Sequence, residues 1–444
     1  MNSRKVALKI LSEVAEGAYS NLALDKYLTN VQDKRDRALI TEMVYGVLRL
    51  QNRLDFVIKQ YSRIPLKKMD DEVLLALRIA LYQILYLDRI PESAAVNETI
   101  NAIKGMTNRG AVGFVNGLLR NIIRSKNKIR FPEAEDIDSY LINYLSHPEW
   151  LVNYWKKIYG LKKTIKLCKY NNQPAEVVIR TNTLKYSNQE IVHSFSEKDI
   201  QLLPTGIPDT YLIKNFNNIE ELPLFEEGGF IVQGPAAVLA GHILNPQPGM
   251  RILDMAAAPG VKTTHLAALM ENKGEITALD IYDHKLDLIQ ENCKRLGIDI
   301  VKTLKQDSST YHSEDKYDMI LLDAPCSGLG LIRQKPEIRW TKSMKDIEIL
   351  SDIQFEMLKN SIELLKKGGF LLYSTCTLAK EENQKNVDNI ITTYKNQLEI
   401  SDIKNDLVRL NLENEYDVTD KGYLELFPPE NHTEGFFIAK LQKK

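Results

Sequence analysis

The chain has 444 residues, 44% of them hydrophobic and 26% charged, with 58 Lys and Arg against 59 Asp and Glu. This is the composition of an ordinary globular protein and excludes wholesale disorder; at roughly 100–200 residues per domain the length predicts two to four domains. No run approaches the roughly 18 apolar residues that cross a bilayer, and Met1-Asn2-Ser3-Arg4-Lys5 opens no signal peptide, so a cytoplasmic protein with no membrane contact is expected. Cys168, Cys293, Cys326 and Cys376 are too few for a disulfide framework, and no pair has zinc-ligand spacing, so no metal is expected.

The near-neutral total hides an asymmetry. Residues 1–130 carry 22 Lys and Arg against 13 Asp and Glu, whereas the remainder carries 36 against 46. A basic front attached to an acidic back points to an appended module for a polyanion, although solvated lysine-rich helix faces give the same signal.

From Arg4 to about Arg124 apolar residues recur at helical spacing: Val6, Ile10, Leu11 and Val14, then Leu39, Met43, Val44, Val47 and Leu48. The run from Leu74 to Leu87 is apolar enough for a central buried helix. Pro65 and Pro91 fall between stripes, and Ser93 is placed to cap the next helix. A fifth helix carries Val112, Val115, Leu118, Leu119 and Ile122 and ends in Arg120, Arg124, Lys126, Lys128 and Arg130, a run without an acid. Residues 1–130 therefore read as an all-α bundle and 131–144 as a linker. Residues 145–232 read as a small α+β subdomain, opened by the helical stretch after His147-Pro148, with strands at Val177–Asn182 and Tyr211–Ile213.

From Met250 the pattern changes to short apolar strands alternating with helices. The predicted strands are Arg251–Met255, Glu275–Asp280, Ile300–Gln306, Tyr317–Asp323, Gly369–Ser374 and Phe436–Leu441, with helices over Thr263–Glu271, His284–Leu296 and Lys345–Lys366. Residues 233–444 thus read as a doubly wound α/β domain, which binds ligands at the carboxyl ends of its strands.

Four of those ends carry Asp254, Asp280, Asp307 and Asp323. Asp254 leads into Ala256, Ala257, Ala258, Pro259, Gly260, Val261 and Lys262, a small-residue turn that lets a ligand approach the backbone beside a helix N-terminus. The turn is neither a P-loop nor a G-x-G-x-x-G fingerprint, which argues against ATP and NAD. Asp280 is placed for ribose hydroxyls and Asp307 for an exocyclic adenine amine. An adenosyl ligand carrying an amino acid, S-adenosylmethionine, suits this set. A single strand-end Asp is as often a turn or cap residue, but three in register favour a site.

Cys326 follows the fourth strand and Cys376 the fifth, which brings both thiols to the ligand edge. Cys168 and Cys293 continue apolar helical stripes and read as packed filler. A lone strand-end Cys is usually filler too; two facing each other beside a nucleoside site point to covalent work.

Asp323-Ala324-Pro325-Cys326-Ser327-Gly328-Leu329-Gly330, followed by Arg333, Pro336 and Trp340, resembles motif IV of the RNA cytosine-C5 methyltransferases. Ser374-Thr375-Cys376-Thr377 resembles their motif VI, Asp254 to Thr264 their cofactor loop, and Gly435 to Ala439 their closing strand. Residues 33–54 resemble the NusB-like RNA-binding domain that precedes this core in bacterial small-subunit rRNA enzymes. The resemblance implies a Rossmann-like class I methyltransferase sheet, preceded by the α+β subdomain and the bundle, and a monomer acting on small-subunit (16S) ribosomal RNA. It implies Cys376 as the nucleophile toward cytosine C6, Asp323 at N3 and the amino group, and Cys326 in product release. DNA cytosine methyltransferases use a Pro-Cys nucleophile, so the residues alone leave Cys326 and Cys376 open, and only the Thr-Cys likeness assigns the role. A tRNA substrate, or a non-catalytic RNA-binding factor, would keep the same fold.

The sequence departs from the family at Val261, where a glycine is usual. A β-branched residue would be costly there if the position needed a positive φ. Arg333 and Arg339 are expected near the cleft, as contacts to RNA phosphate or to the cofactor carboxylate. Gln334 replaces a common arginine.

Overall fold

The structure, a computed structural model, describes residues 2–216 and 218–444. They divide into two compact units: one runs to Pro174 and includes Ile332–Lys342, and the other comprises Ala175–Leu331 and Ser343–Lys444. The expected partition at 130, 145 and 232 differs from this one, because the helix Glu149–Asn171 packs with the first unit.

The first unit is helical: α1 (Ser3–Ala15), α2 (Ser20–Leu28), α3 (Lys34–Tyr61), α4 (Asp71–Tyr86), α5 (Glu92–Ile103) and α6 (Arg109–Arg124). As the apolar run predicts, α4 is central: Leu77, Ile79, Ala80 and Leu81 are fully buried, and it packs on α1, α3, α5 and α6. The helix predicted as fifth is the sixth. The sequence reading missed α2, whose nine residues bury only Ser20, Ala23 and Leu24 and give no stripe. Ser93 caps nothing: α5 begins at Glu92 behind Pro91, which puts Ser93 inside its first turn. The acid-free basic run closes α6, capped at its start by Asn108, whose side chain accepts from Ala111 N at 2.9 Å.

Ile332–Lys342 is built into this unit. Glu337 accepts from Ser20 N at 2.9 Å and Ser20 Oγ at 2.8 Å, capping α2. A kink at Leu50 interrupts α3, and carbonyls next to it receive side-chain donors: Trp340 Nε1 to Leu48 O at 2.6 Å, and Arg339 Nη1 to Arg49 O at 3.3 Å. A side chain bonded into the helical ladder in this way is a recognised cause of a kink.

In the second unit, β1 (Val178–Thr181), β2 (Gln201–Pro204), β3 (Thr210–Lys214) and β4 (Phe230–Val232) form an antiparallel sheet in the order β2-β3-β1-β4. The helix Asn188–Ser196 covers it over a core of Ile179, Ile191, Phe195, Ile213 and Phe230. There follow β5 (Arg251–Asp254), β6 (Glu275–Asp280), β7 (Val301–Lys305), β8 (Tyr317–Asp323), β9 (Leu365–Thr375), β10 (Leu398–Ser401), β11 (Leu424–Leu426) and β12 (Phe436–Lys443). Their order is β10-β12-β9-β8-β5-β6-β7, with β11 paired to β12. Strands β5 to β9 run parallel, and β10, β11 and β12 join antiparallel. All six predicted strands are present; β10 and β11, short and set among polar residues, were not expected. Because β5 lies between β6 and β8, the crossovers diverge at its carboxyl end and open a crevice there.

Candidate active site

That crevice is a cavity of about 700 Å³ at the carboxyl ends of β5, β6, β8 and β9. Ala256, Ala258, Asp280, Asp307, Asp323, Cys326 and Cys376 line it together. A smaller hollow of about 70 Å³ is lined by Asp254, Ala257, Pro259, Val261 and Lys262 and shares Ala256, Ala258 and Asp323 with the larger one. Gly260 lines neither; it turns the chain.

The two cysteines follow neighbouring strands, with Asp323 opposite Ser374 in register, and their Sγ atoms lie 3.2 Å apart. Both are half-buried. The hydrogen bond with Cys376, then burial, holds the Cys326 thiol well above its usual range. Cys168 and Cys293 are buried, and burial pushes them up to about 12 and about 11, as packed thiols should behave.

Asp323 has both oxygens engaged: Lys262 Nζ donates to Oδ2 at 2.6 Å and Ser374 Oγ to Oδ1 at 2.8 Å. Burial works to lower the Lys262 ammonium, but Asp323, Cys376 and Asp254 together raise it. Lys262 is therefore a fixed cation at the carboxylate. Asp280 is buried and accepts from Tyr282 N at 3.2 Å. Asp307 accepts from Ser309 N at 2.9 Å and Ser309 Oγ at 2.7 Å, a turn-forming role alongside its place on the wall.

Val261 is not strained. Gly260 takes the left-handed φ of 90° and Val261 is the first residue of the helix Val261–Leu269. A Cβ on Gly260 would also come within 3.0 Å of Ile289 Cα, so glycine is required one position earlier than expected.

Arg333 and Arg339 do not line the cavity. Arg339 is fully buried in the helical unit, bonded to Ser146 O at 3.0 Å, Asn172 Oδ1 at 2.9 Å and Asn171 O at 3.1 Å. Arg333 Nε donates to Pro174 O at 2.9 Å, and its guanidinium sits over the Tyr170 ring.

Sequence reasoning missed the groups beneath the cysteines. Glu382 is fully buried; its Oε1 accepts from Ser327 N at 2.8 Å and Gln354 Nε2 at 3.0 Å, and Oε2 from Ser327 Oγ. Asn383 Nδ2 donates to Thr377 O at 3.0 Å. On the far side of the cofactor loop, Arg180 donates to Gln233 Oε1 at 2.6 Å, Val261 O at 3.1 Å and Thr264 Oγ1 at 3.3 Å. The one available signal was position: Glu382 follows Cys376 by six residues, and Arg180 interrupts the apolar run Val177–Ile179.

The description 16S rRNA methyltransferase RsmB/F matches residues 241–442, the NusB family residues 1–124, and the ferredoxin-like domain of the RsmF/B methyltransferases residues 147–220. A probable ribosomal RNA small subunit methyltransferase B of Bacillus subtilis is 35% identical over 99% of this chain and 98% of its own. The chain belongs to the ribosomal RNA small subunit methyltransferase B family. Among solved structures, PH0851 is 29% identical and superposes over 100% of this chain and 98% of its own, with a TM-score of 0.86. NSun6 from Pyrococcus horikoshii with SFG is 26% identical over 67% of this chain and 98% of its own, with a TM-score of 0.59.

Enzymes of the methyltransferase B family are S-adenosylmethionine-dependent rRNA methyltransferases, and the residues present suit that cofactor. Asp254 is 1% exposed and its Oδ1 has no hydrogen-bond partner, an orphaned carboxylate oxygen that an ammonium would satisfy. Among the described residues there is no cluster of metal-ligating side chains, and no helix is long and apolar enough to cross a membrane.

Proposed function

We propose that this chain methylates C5 of a cytosine in small-subunit ribosomal RNA through a transient bond between Cys376 and C6. The observation that carries the reading is the 3.2 Å approach of the two sulfurs on the wall of the cavity that also holds Asp280, Asp307 and Asp323.

C5 of cytosine is a poor nucleophile. When the Cys376 thiolate bonds to C6, the ring loses conjugation and its electron pair moves toward C5 and N3, which makes C5 enamine-like. Asp323, with Lys262 paired to it, sits against N3 and the amino group, where it stabilises or supplies the proton that this addition requires. S-adenosylmethionine contributes an electrophilic methyl carbon. Ala256 to Lys262, with Asp254, hold its amino-acid end, Asp280 its ribose and Asp307 its adenine. Release needs a base to take the C5 hydrogen as a proton, its bonding pair re-forming the C5–C6 double bond while the Cys376–C6 bond breaks and returns its pair to sulfur; Cys326 assists there. The raised Cys326 thiol supports this division of labour, since a thiol that keeps its proton is the weaker nucleophile of the two positions.

The target base must leave any helix to reach a thiol. The NusB-like region, with its basic run from Arg120 to Arg130, supplies phosphate contacts that position the RNA without reading its sequence. The non-catalytic alternative rested on Val261, whose unstrained backbone removes that support. The test pairs two variants: Cys376→Ala abolishes methylation, and Cys326→Ala leaves enzyme joined to RNA as a denaturant-resistant adduct. An adduct formed by Cys376→Ala and never by Cys326→Ala reverses the assignment. Bisulfite mapping of rRNA from cells with and without the chain identifies the cytosine.

A further inference from the structure

Two sulfurs 3.2 Å apart are hydrogen-bonded, and covalent attack depends on which of them keeps a proton between them when one ionises. Glu382 is fully buried, and its hydrogen-bond partners are neutral: Ser327 N, Ser327 Oγ, Gln354 Nε2 and the Thr377 hydroxyl, which together pull the carboxyl down against the larger upward push of burial. Ser327 and Gln354 bracket Cys326. Ser327 follows Cys326, and Gln354 Nε2 also donates to Pro325 O, which precedes Cys326, at 2.8 Å. Ser327 Oγ reaches Thr377 Oγ1, next to Cys376, at 2.7 Å, so the same clamp fixes both sulfur loops. Tyr373 and Asn386 lock Gln354 in turn, bonding its Oε1 at 3.1 Å and 3.0 Å.

Cys376 has a cation nearby. Lys262, bonded to Asp323, interacts with Cys376. The titratable groups around the sulfurs are thus Asp323 at the end of β8, Tyr373 on β9, Lys262 on the helix behind the cofactor loop, and Glu382. Glu382 differs from Asp323 in that its hydrogen-bond partners are all neutral, whereas Asp323 is paired to Lys262.

We infer that Glu382 is a positioning residue that keeps the proton between the two sulfurs on Cys326 and so leaves Cys376 as the attacking thiolate. The inference rests on the cytosine-C5 reading above and explains from geometry why, of two chemically equal sulfurs, the one after β9 attacks. Glu382 works at a distance, through a fixed loop and an unscreened charge, both of which act strongly in a dry interior. It also sets a direction in time. Once Cys376 has bonded to carbon it no longer accepts a hydrogen bond, and the largest influence holding the Cys326 proton is gone.

The test is Glu382→Gln in the full chain. The amide oxygen can still accept from Ser327 N and Gln354, and the amide nitrogen can meet Ser327 Oγ, so the clamp is kept while the charge is lost. Brief iodoacetamide labelling at neutral pH, mapped by mass spectrometry, reads which sulfur is ionised. The wild type should label Cys376 over Cys326 by about tenfold or more, the ratio of a single pKa unit. Glu382→Gln should bring the two rates close together and lower kcat by about the same factor, with KM for rRNA and cofactor little changed. Glu382→Asp, which keeps the charge, should restore the labelling preference even if its melting temperature falls. A Glu382→Gln enzyme that keeps the wild-type labelling ratio, or one whose loss of kcat only follows its loss of melting temperature, overturns the inference. Failure of the underlying reading has a separate signature: Cys376→Ala in the wild-type background would still methylate.

Discussion

Asp254 offers a quantitative check on how the cofactor site is built. It ends β5 at 1% exposure, with Oδ2 accepting from Thr263 Oγ1 at 2.7 Å and Oδ1 unpartnered. Burial pushes its carboxyl up to about 7; Asp323 pushes the same way, against the pull of Thr263, Lys262 and the Ala256 amide. In the unfolded chain the value is about 3.9. Between those values the folded state holds a proton that the unfolded state has released, so stability is highest below about pH 4 and falls as pH rises toward 7. A difference of roughly 3 units at 1.36 kcal/mol each sets a ceiling of ~4 kcal/mol for this one group. Asp254→Asn keeps an oxygen for Thr263 and cannot ionise. Urea unfolding of cofactor-free wild type and variant, in parallel from pH 4 to 8, should show the wild type losing ground steadily to the variant. Adding cofactor should reverse the order at pH 8, because an ammonium on the charged oxygen makes a charge-assisted hydrogen bond of about 1.5–3 kcal/mol that the amide cannot match. If the two stability curves stay parallel across the whole range, Asp254 is ionised and accommodated without the cofactor, and the orphaned oxygen has no bearing on binding.

Arg339→Met removes donors from four acceptors, of which Ser146 O and Asn171 O are in buried bonds, at about 1–3 kcal/mol for each buried one left unpaired. It should lower the melting temperature of the helical unit and leave the salt dependence of RNA binding unchanged, as a plot of binding constant against salt will read. A Cβ on Gly330 would stand 2.0 Å from Gly435 O, and Gly330 N holds Cys376 O at 3.0 Å. Gly330→Ala should therefore cost more than the usual ~1–3 kcal/mol of overpacking and displace the cysteine loop, seen as lost methylation with a lowered melting temperature. Arg180→Met frees Val261 O and Thr264 behind the cofactor loop; steady-state kinetics should show KM for S-adenosylmethionine raised about tenfold, the equivalent of one ~1.4 kcal/mol hydrogen bond, with a smaller change in kcat.

Much of this site is legible in the sequence because its parts obey local rules. Strand ends announce themselves by the change from an apolar run to Asp254, Asp280 or Asp323, and the doubly wound pattern then sends those ends to one edge. The proximity of Cys326 and Cys376 follows from chain order alone, since β8 and β9 are consecutive and parallel. What sequence does not carry is the direction in which a charged side chain leaves the backbone. Arg333 and Arg339 follow the Cys326 motif closely, and that nearness suggested the cleft. Ile332–Lys342 instead packs with the helical unit, where Arg339 bonds to carbonyls at a kink that no periodicity foretells. Glu382 and Arg180 escaped for a related reason. A buried charge satisfied by backbone and neutral side chains has the same one-letter code as a solvated one.

The unsatisfied polar atoms beside the cofactor loop argue that this part of the catalytic unit was shaped for its ligands at some cost to its own stability. Asp254 Oδ1, Arg180 Nε, Gln233 Nε2 and the ring nitrogens of His265 are all buried without a partner, on or next to the elements that flank the cofactor loop. Each such atom costs roughly 1–3 kcal/mol. The apolar layers on either face of the eight-stranded sheet offset that cost and hold the loop rigid while it is unfilled. The same logic covers the sulfur pair, because Ser327, Thr377, Gln354 and Glu382 fix its geometry before any base arrives. On the proposed reaction, a cytosine flipped from its stack has already spent a few kcal/mol on unstacking, and an enzyme that still had to assemble its nucleophile would add a second penalty to the first. A thiol pair ordered in advance would remove that second penalty, so on the same reading the polar network beneath the cysteines would matter to rate and not only to stability.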